Sequence, residues 1–184
     1  LQDCRRALRI AKVPGDPAWR SRLTGLGWGM VANARRVLEK LDGAEEALTL
    51  AYQLWEAGAL GDPNLLLNPA WLPWIEAILR RAQRHFRLAL QKLEEALELD
   101  RGELRGKILV SKSNLLAILG DSEGSTAILE QAIPLIDQER EPRLAFGLRF
   151  NLLEDLCVLG RAAEAAPHVP VVRQMAERLG GDLD

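Results

Sequence analysis

Apolar side chains recur every three or four positions along this 184-residue chain, in blocks separated by short turn signals. Each block follows the i, i+3, i+4, i+7 spacing of a helix with one buried face, and no segment alternates as a β-strand does. Phe86, Ala89, Leu90, Leu93 and Leu97 show the pattern most clearly. The pattern predicts an all-α protein of about nine helices, with approximate bounds 1–13, 18–40, 43–58, 69–82, 86–100, 103–119, 122–137, 142–159 and 161–179.

The connections between these blocks are short. Most contain Gly, Pro or Asp, as at Gly120-Asp121, whereas a tight turn at Arg84 and His85 is predicted only from a change of helical phase. Short connections make each helix return antiparallel to the one before it. We therefore expect one domain over 1–184, made of helical hairpins at about 18–58, 69–100, 103–137 and 142–179, with 1–13 as the second helix of an earlier hairpin.

The second helices of the hairpins share a pattern. In 86–100 the aromatic Phe86 opens the helix, Ala89 follows three residues later, and Ala96 follows seven after that. This segment resembles the second helix of a tetratricopeptide (TPR) repeat. The small residues Ala89, Ala96, Ser113, Ala132 and Ala165 are expected to allow close helix packing, and Pro134, Pro167 and Pro170 are expected to interrupt the last second helices. The four second helices start at intervals of 42, 36 and 40 residues, at Ala44, Phe86, Ser122 and Ala162.

The resemblance is to a divergent TPR of the kind found in multidomain bacterial regulatory proteins. It implies a right-handed superhelical array, an α-solenoid, whose first helices line a concave groove. It also implies a non-catalytic scaffold that binds a peptide or protein segment there. The groove positions carried over are Ala32, Asn33, Arg36, Trp71, Trp74, Ile78, Arg81, Lys107, Val110, Ser111, Asn114, Gly147, Phe150, Asn151 and Glu154.

Two sets of these candidates have polar chemistry suited to a peptide. Asn33, Asn114 and Asn151 recur near one edge of successive first helices, although Asn is a poor helix former. Such amides either bind a peptide backbone or hydrogen-bond inside the helix stack. Arg36 and Arg81 are candidates to clamp a ligand carboxylate.

Trp71 and Trp74 lie three residues apart and therefore share a helix face. Buried together they would be ordinary core, and exposed they would be rigid anchors for a partner. The pattern leaves both interpretations open.

Other chemistry is not indicated. His85 and His168 have no metal-ligand spacing around them, and Cys157 is expected to be a small buried thiol, so neither a metal, a cofactor nor an enzyme activity is predicted. Gly25, Gly27 and Gly29 follow no strand and are expected to permit close helix packing rather than to bind phosphate.

Charge and composition narrow the possible partners. The net charge of -2 argues against a general nucleic-acid or membrane binder, and an RNA-binding helical repeat would need a basic concave stripe. The first 40 residues carry nine basic and three acidic side chains, which fits either a solvated face or a patch for an acidic partner.

The cellular setting follows from simple features. The chain has no transmembrane run and two cysteines far apart, which predicts a cytoplasmic protein without disulfides. It begins with Leu1, so we expect a piece of a longer protein, and the alternative function is a peptide-sensing regulatory module of that protein. Apolar faces of the terminal helices, 1–13 and 171–179, predict a homodimer formed through an array end.

Overall fold

A computed structural model describes residues 16–58 and 67–180. These ranges contain nine α-helices and no strand, which confirms the all-α prediction. The predicted helix 1–13 lies outside the described residues, and the predicted helix 161–179 is two helices. The chain forms two compact units that divide after Arg101. The helices are α1 Pro17–Val37, α2 Leu41–Ala57, α3 Trp71–Ala82, α4 Phe86–Leu99, α5 Arg105–Ile118, α6 Ser122–Ala132, α7 Pro142–Val158, α8 Ala162–Ala165 and α9 His168–Arg178.

The first unit pairs α1 with α2 and α3 with α4, and α3 also packs on both α1 and α2. Its glycines permit a close approach, as expected. A Cβ on Gly25 would lie 2.7 Å from the backbone oxygen of Ala51 in α2, and one on Gly29 would lie 2.8 Å from the Leu72 side chain in α3. One core cluster of this unit comprises Val31, Ala32, Ala44, Ala47, Leu48, Ile75 and Leu79.

The second unit pairs α5 with α6, and α7 packs on both of them and on the short helices α8 and α9. Two of the three prolines interrupt the second helices here, as predicted, whereas Pro170 lies within α9 and does not interrupt it. Pro134 lies in a 3-10 turn, Ile133–Leu135, that follows α6, and Pro167 precedes α9. A proline in a helix interior removes a backbone hydrogen bond, so the helix ends early. The small residues predicted at the helix contacts of both units are buried.

The first helix of each hairpin ends in the same turn. The second residue after the helix has a positive φ, which is 59° at Glu39, 63° at Arg84, 84° at Gly120 and 70° at Gly160. At the second of these turns the next amide, His85 N–H, donates to the carbonyl of Arg80 at 2.9 Å. This bond satisfies a carbonyl that the helix leaves without a partner. The tight turn predicted at Arg84 and His85 is therefore confirmed.

In the described part of the chain, no helix has the length and apolar composition needed to cross a membrane.

Candidate functional site

Two arginines of the first unit come together on the face where α3 packs on α1. Arg36 is in α1 and Arg81 is in α3, and both are half-buried. Burial lowers the pKa of Arg36, and the positive charge of Arg81 lowers it further. Burial also lowers the pKa of Arg81. Two like charges therefore lie on a partly dehydrated surface, where the charge of Arg81 disfavours that of Arg36.

The surroundings of this arginine pair contain little negative charge. Arg36 Nε donates to the side-chain oxygen of Asn33 at 3.0 Å, so a neutral amide holds its guanidinium in place. Among residues 16–58 and 67–180, neither Arg36 nor Arg81 forms an ion pair with a carboxylate. An anionic group from outside could therefore bind the Arg36 guanidinium, which Asn33 orients, together with that of Arg81.

The two tryptophans lie on the same helix as Arg81. Their ring centroids are 5.4 Å apart with an angle of 55° between the ring planes, and both side chains are half-buried. Trp71 packs against the core cluster described above and against a second one made of Leu26, Ala51 and Leu72, so it lies at the edge of the core. Trp74, Ile78 and Arg81 are spaced i, i+4, i+7 and so share one face of α3.

In the second unit the asparagine candidates bond to each other. Asn151 Nδ2 in α7 donates to Asn114 Oδ1 in α5 at 2.6 Å. This is a hydrogen bond within the helix stack, one of the two roles expected for these amides. It leaves the NH₂ group of Asn114 and the carbonyl oxygen of Asn151 with capacity for a further partner.

The remaining candidates of this unit differ in surroundings. Lys107 forms an ion pair with Glu141, and the Ser111 hydroxyl donates to the Lys107 carbonyl at 2.9 Å. Phe150 is 40% exposed and stacks on Phe146, with ring centroids 5.9 Å apart. Glu154 is exposed one turn later on α7.

Two positions carried over from the repeat resemblance are wrong as groove positions. Ala32 is 1% exposed and Val110 is 6% exposed, so both belong to the core and cannot contact a ligand. The prediction of a buried Cys157 is also wrong, because this thiol is exposed. Helix α7 buries the face that carries Leu152 and Leu156, and Cys157 points to another side.

The described residues contain no group of three or more histidine, cysteine or acidic side chains placed to hold a metal ion. His85 is exposed, as expected, and His168 is half-buried.

Sequence reasoning missed a charged cluster in the first unit, centred on Glu76 of α3, which is 6% exposed. Its carboxylate accepts hydrogen bonds from Tyr52 at 2.8 Å and from Arg80 at 3.0 Å, and it lies 3.2 Å from Lys92 Nζ. Burial and the Glu76 charge raise the pKa of Tyr52. Arg80 also pairs with Glu45 at 2.5 Å.

This cluster is a structural device rather than a binding site, because each of its buried charges already has a partner of opposite sign. It ties α2, α3 and α4 together. A signal for it existed in the sequence: Glu76 is four residues after Leu72 and three before Leu79, at a position of α3 where the pattern calls for an apolar side chain.

Comparison of the chain with models of known protein families gives no match, and comparison with curated proteins gives none either.

Proposed function

We propose that this protein is a non-catalytic, TPR-like interaction module that binds a peptide segment, and that Arg36 and Arg81 hold an acidic group of that peptide. The observation that carries the proposal is the arginine pair itself. Both guanidinium groups are half-buried, the charge of Arg81 lowers the pKa of Arg36, and neither group has a carboxylate partner among the described residues.

The electrostatics favour an anionic ligand. Partial burial makes each guanidinium less well hydrated, and the second positive charge adds repulsion. A carboxylate placed between the two groups relieves the repulsion and accepts hydrogen bonds in the planar geometry that arginine prefers. Because Asn33 already orients Arg36, little side-chain freedom is lost on binding.

The neighbouring side chains suit the rest of a peptide. On α3, Trp74 and Ile78 continue from Arg81 along the same face and offer apolar contact area. Within the second unit, and separately from the arginine pair, the NH₂ group of Asn114 is a donor suited to a peptide carbonyl. The repeated hairpins and the TPR-like segment 86–100 support the same class of function.

The test is selection from a displayed library of random peptides, with the full chain as bait. We expect the wild type to enrich peptides with Asp, Glu or a free carboxyl terminus. The double variant Arg36→Gln/Arg81→Gln is expected to lose this enrichment and to bind a selected acidic peptide at least about tenfold more weakly, which corresponds to about 1.4 kcal/mol.

The matched control is Arg84→Gln/Arg87→Gln. It removes two exposed positive charges from the same unit and is expected to keep the enrichment. Because removing both positive charges also removes the repulsion between them, the Arg36→Gln/Arg81→Gln chain is expected to unfold at the same or a higher urea concentration than the wild type. Equal selection of acidic peptides by both double variants would rule out the arginine pair as the site.

A further inference from the structure

Gly147 lies inside helix α7, where the structural reasons that explain the other glycines do not apply. Its backbone is helical, unlike that of Gly120 and Gly160, which have a positive φ in their turns. A Cβ on Gly147 would meet no atom of the described residues within 4 Å, whereas one on Gly106 would lie 2.6 Å from the Ile136 side chain. Glycine in a helix interior is less favourable than alanine. Neither packing nor backbone conformation therefore explains a glycine at this position of the free protein.

The side chains next to Gly147 form an open face of α7. Phe150 and Asn151 follow Gly147 by three and four residues, so both lie on the same side of the helix as Gly147. Phe150 is exposed, and its ring stacks on that of Phe146. Leu148 belongs to the opposite, buried face of the helix. The open space above Gly147 is thus bordered by an exposed aromatic ring on one side and by an amide on the other.

Two contacts with α5 hold this face in place. Glu141, at the start of α7, forms an ion pair with Lys107, and Asn151 donates to Asn114 Oδ1 at 2.6 Å. The second contact leaves the NH₂ group of Asn114 as a donor and the carbonyl oxygen of Asn151 as an acceptor. A peptide main chain offers the complementary groups, a carbonyl and an N–H, at every residue except proline. An extended chain that lies over Gly147 can therefore bond to both amides.

We propose that the main chain of an extended peptide crosses α7 directly over Gly147 and places an aromatic side chain against Phe150. Glycine permits a close approach of the ligand, because no Cβ stands between the two backbones. An aromatic ring gains an offset or edge-to-face contact with the exposed Phe150 ring. The inference rests on the proposed peptide-binding function and assigns the second unit its own point of contact and its own side-chain preference.

The probes are two short, blocked Gly-Ser peptides that are identical except for a central phenylalanine or a central alanine. Each is titrated into the full ¹⁵N-labelled chain, and the side-chain amide signals of Asn114 and Asn151 are followed by NMR. Because both peptides are uncharged, neither offers an acidic group to the arginine pair. We expect the phenylalanine peptide to bind about tenfold more tightly than the alanine peptide, because its ring adds apolar area and an aromatic contact.

Replacing Gly147 by alanine separates binding from stability. Gly147→Ala puts a methyl group where the ligand main chain lies, so we expect it to weaken binding of the phenylalanine peptide at least about tenfold. The same change should raise the melting temperature measured by circular dichroism, because alanine is the better helix former. Weaker binding together with a higher melting temperature excludes misfolding as the cause. The control Ala163→Val adds two methyl groups to an exposed alanine of α8, away from this face, and should leave the affinity unchanged.

A second variant tests the aromatic contact. Phe150→Ala removes the exposed ring, so the ratio of the two dissociation constants is expected to fall to near one. The alanine peptide makes no use of that ring and should bind to Phe150→Ala as it does to the wild type.

Equal binding of the two peptides by the wild type, no binding of either, undiminished binding by Gly147→Ala, or an unchanged ratio in Phe150→Ala would overturn the inference. A lower melting temperature of Gly147→Ala would also overturn it, because the glycine would then have a structural role. An acidic peptide selected by the wild type is measured on the same samples. If it binds at Arg36 and Arg81 while both uncharged peptides fail, this inference alone is wrong. If the acidic peptide fails as well, the proposed function is also wrong.

Discussion

Replacing Glu76 by glutamine tests whether the buried charged cluster holds the first unit together. Oε1 of Glu76 accepts hydrogen bonds from Nε and Nη2 of Arg80 at 3.2 and 3.0 Å. Oε2 accepts from the Tyr52 hydroxyl at 2.8 Å and lies 3.2 Å from Lys92 Nζ. Glutamine keeps the size of the side chain, but it loses the charge and exchanges one accepting oxygen for an NH₂ group that cannot accept.

The expected loss of stability depends on which ion-pair partners Arg80 and Lys92 keep when Glu76 is replaced. Removing one member of a buried ion pair costs about 3–5 kcal/mol when the other charge is stranded. Here Arg80 keeps Glu45, with contacts of 2.5 and 2.9 Å, and Lys92 keeps Glu95 at 2.9 Å. The loss of stability is therefore closer to the value for losing one or two hydrogen bonds to a charged group, about 1.5 kcal/mol each, than to the value for a stranded charge. We expect Glu76→Gln to lower the free energy of unfolding of the first unit by about 2–3 kcal/mol.

Urea unfolding followed by tryptophan fluorescence measures this quantity with a signal that comes from the first unit. All five tryptophans, at positions 19, 28, 55, 71 and 74, precede the division after Arg101. With a urea dependence of about 1.5 kcal/mol per M, the expected loss lowers the midpoint by about 1.3–2 M.

The control is Glu98→Gln, which removes an exposed carboxylate from α4 and should change the free energy of unfolding by no more than about 0.5 kcal/mol. If Glu76→Gln lies within the same margin, the reasoning is refuted, because the buried cluster would then contribute no more than a surface ion pair.

Three further changes test the fold. The hydrogen bond from Arg80 lowers the pKa of Glu45 in the folded protein. The ionised Glu45 therefore stabilises the fold above its ordinary pKa of 4.5, and this contribution is lost as the pH falls through the lower pKa of the folded protein. Glu45→Gln should flatten the acid side of a plot of urea midpoint against pH. Arg84→Gly should raise the free energy of unfolding by about 0.5–1 kcal/mol, because a φ of 63° is unfavourable for a residue with a Cβ; an unchanged urea midpoint would contradict this. Gly25→Ala should cost about 1–3 kcal/mol because its Cβ would meet a backbone oxygen at 2.7 Å. Gly147→Ala, whose Cβ meets nothing within 4 Å, should stabilise by up to about 1 kcal/mol, and equal melting curves of the two alanine variants by circular dichroism would contradict both expectations.

Local rules predicted most of the helices. The apolar spacing placed α4 and α5 within two residues of their observed bounds. The turn at Arg84 was identified only from the change of helical phase on either side of it, because the turn contains no Gly or Pro. Proline chemistry accounts for the breaks at Pro134 and Pro167.

The candidate site was only partly predictable. The repeat resemblance selected Arg36 and Arg81, but 45 positions separate them in the chain, and only the packing of α3 on α1 brings their charges together. The same resemblance selected Ala32 and Val110, which packing buries. The pattern also failed at Cys157, because a helix that packs on one side leaves its other side exposed whatever residue stands there.

By itself, then, the sequence determined the all-α class, the positions of most helices and turns, and the small residues at their contacts. These depend on interactions between residues within a few positions of each other, such as helical spacing, proline and the turn after each first helix. Only the tertiary structure decided which groups from different helices meet: it gave Glu76 the partners Tyr52 and Lys92, brought Arg81 close enough to lower the pKa of Arg36, and left Oδ2 of Asp155 buried without a hydrogen-bond partner. The electrostatic free energy of a side chain depends on its hydration and on the charges nearby in space, and neighbours in the sequence determine neither of these.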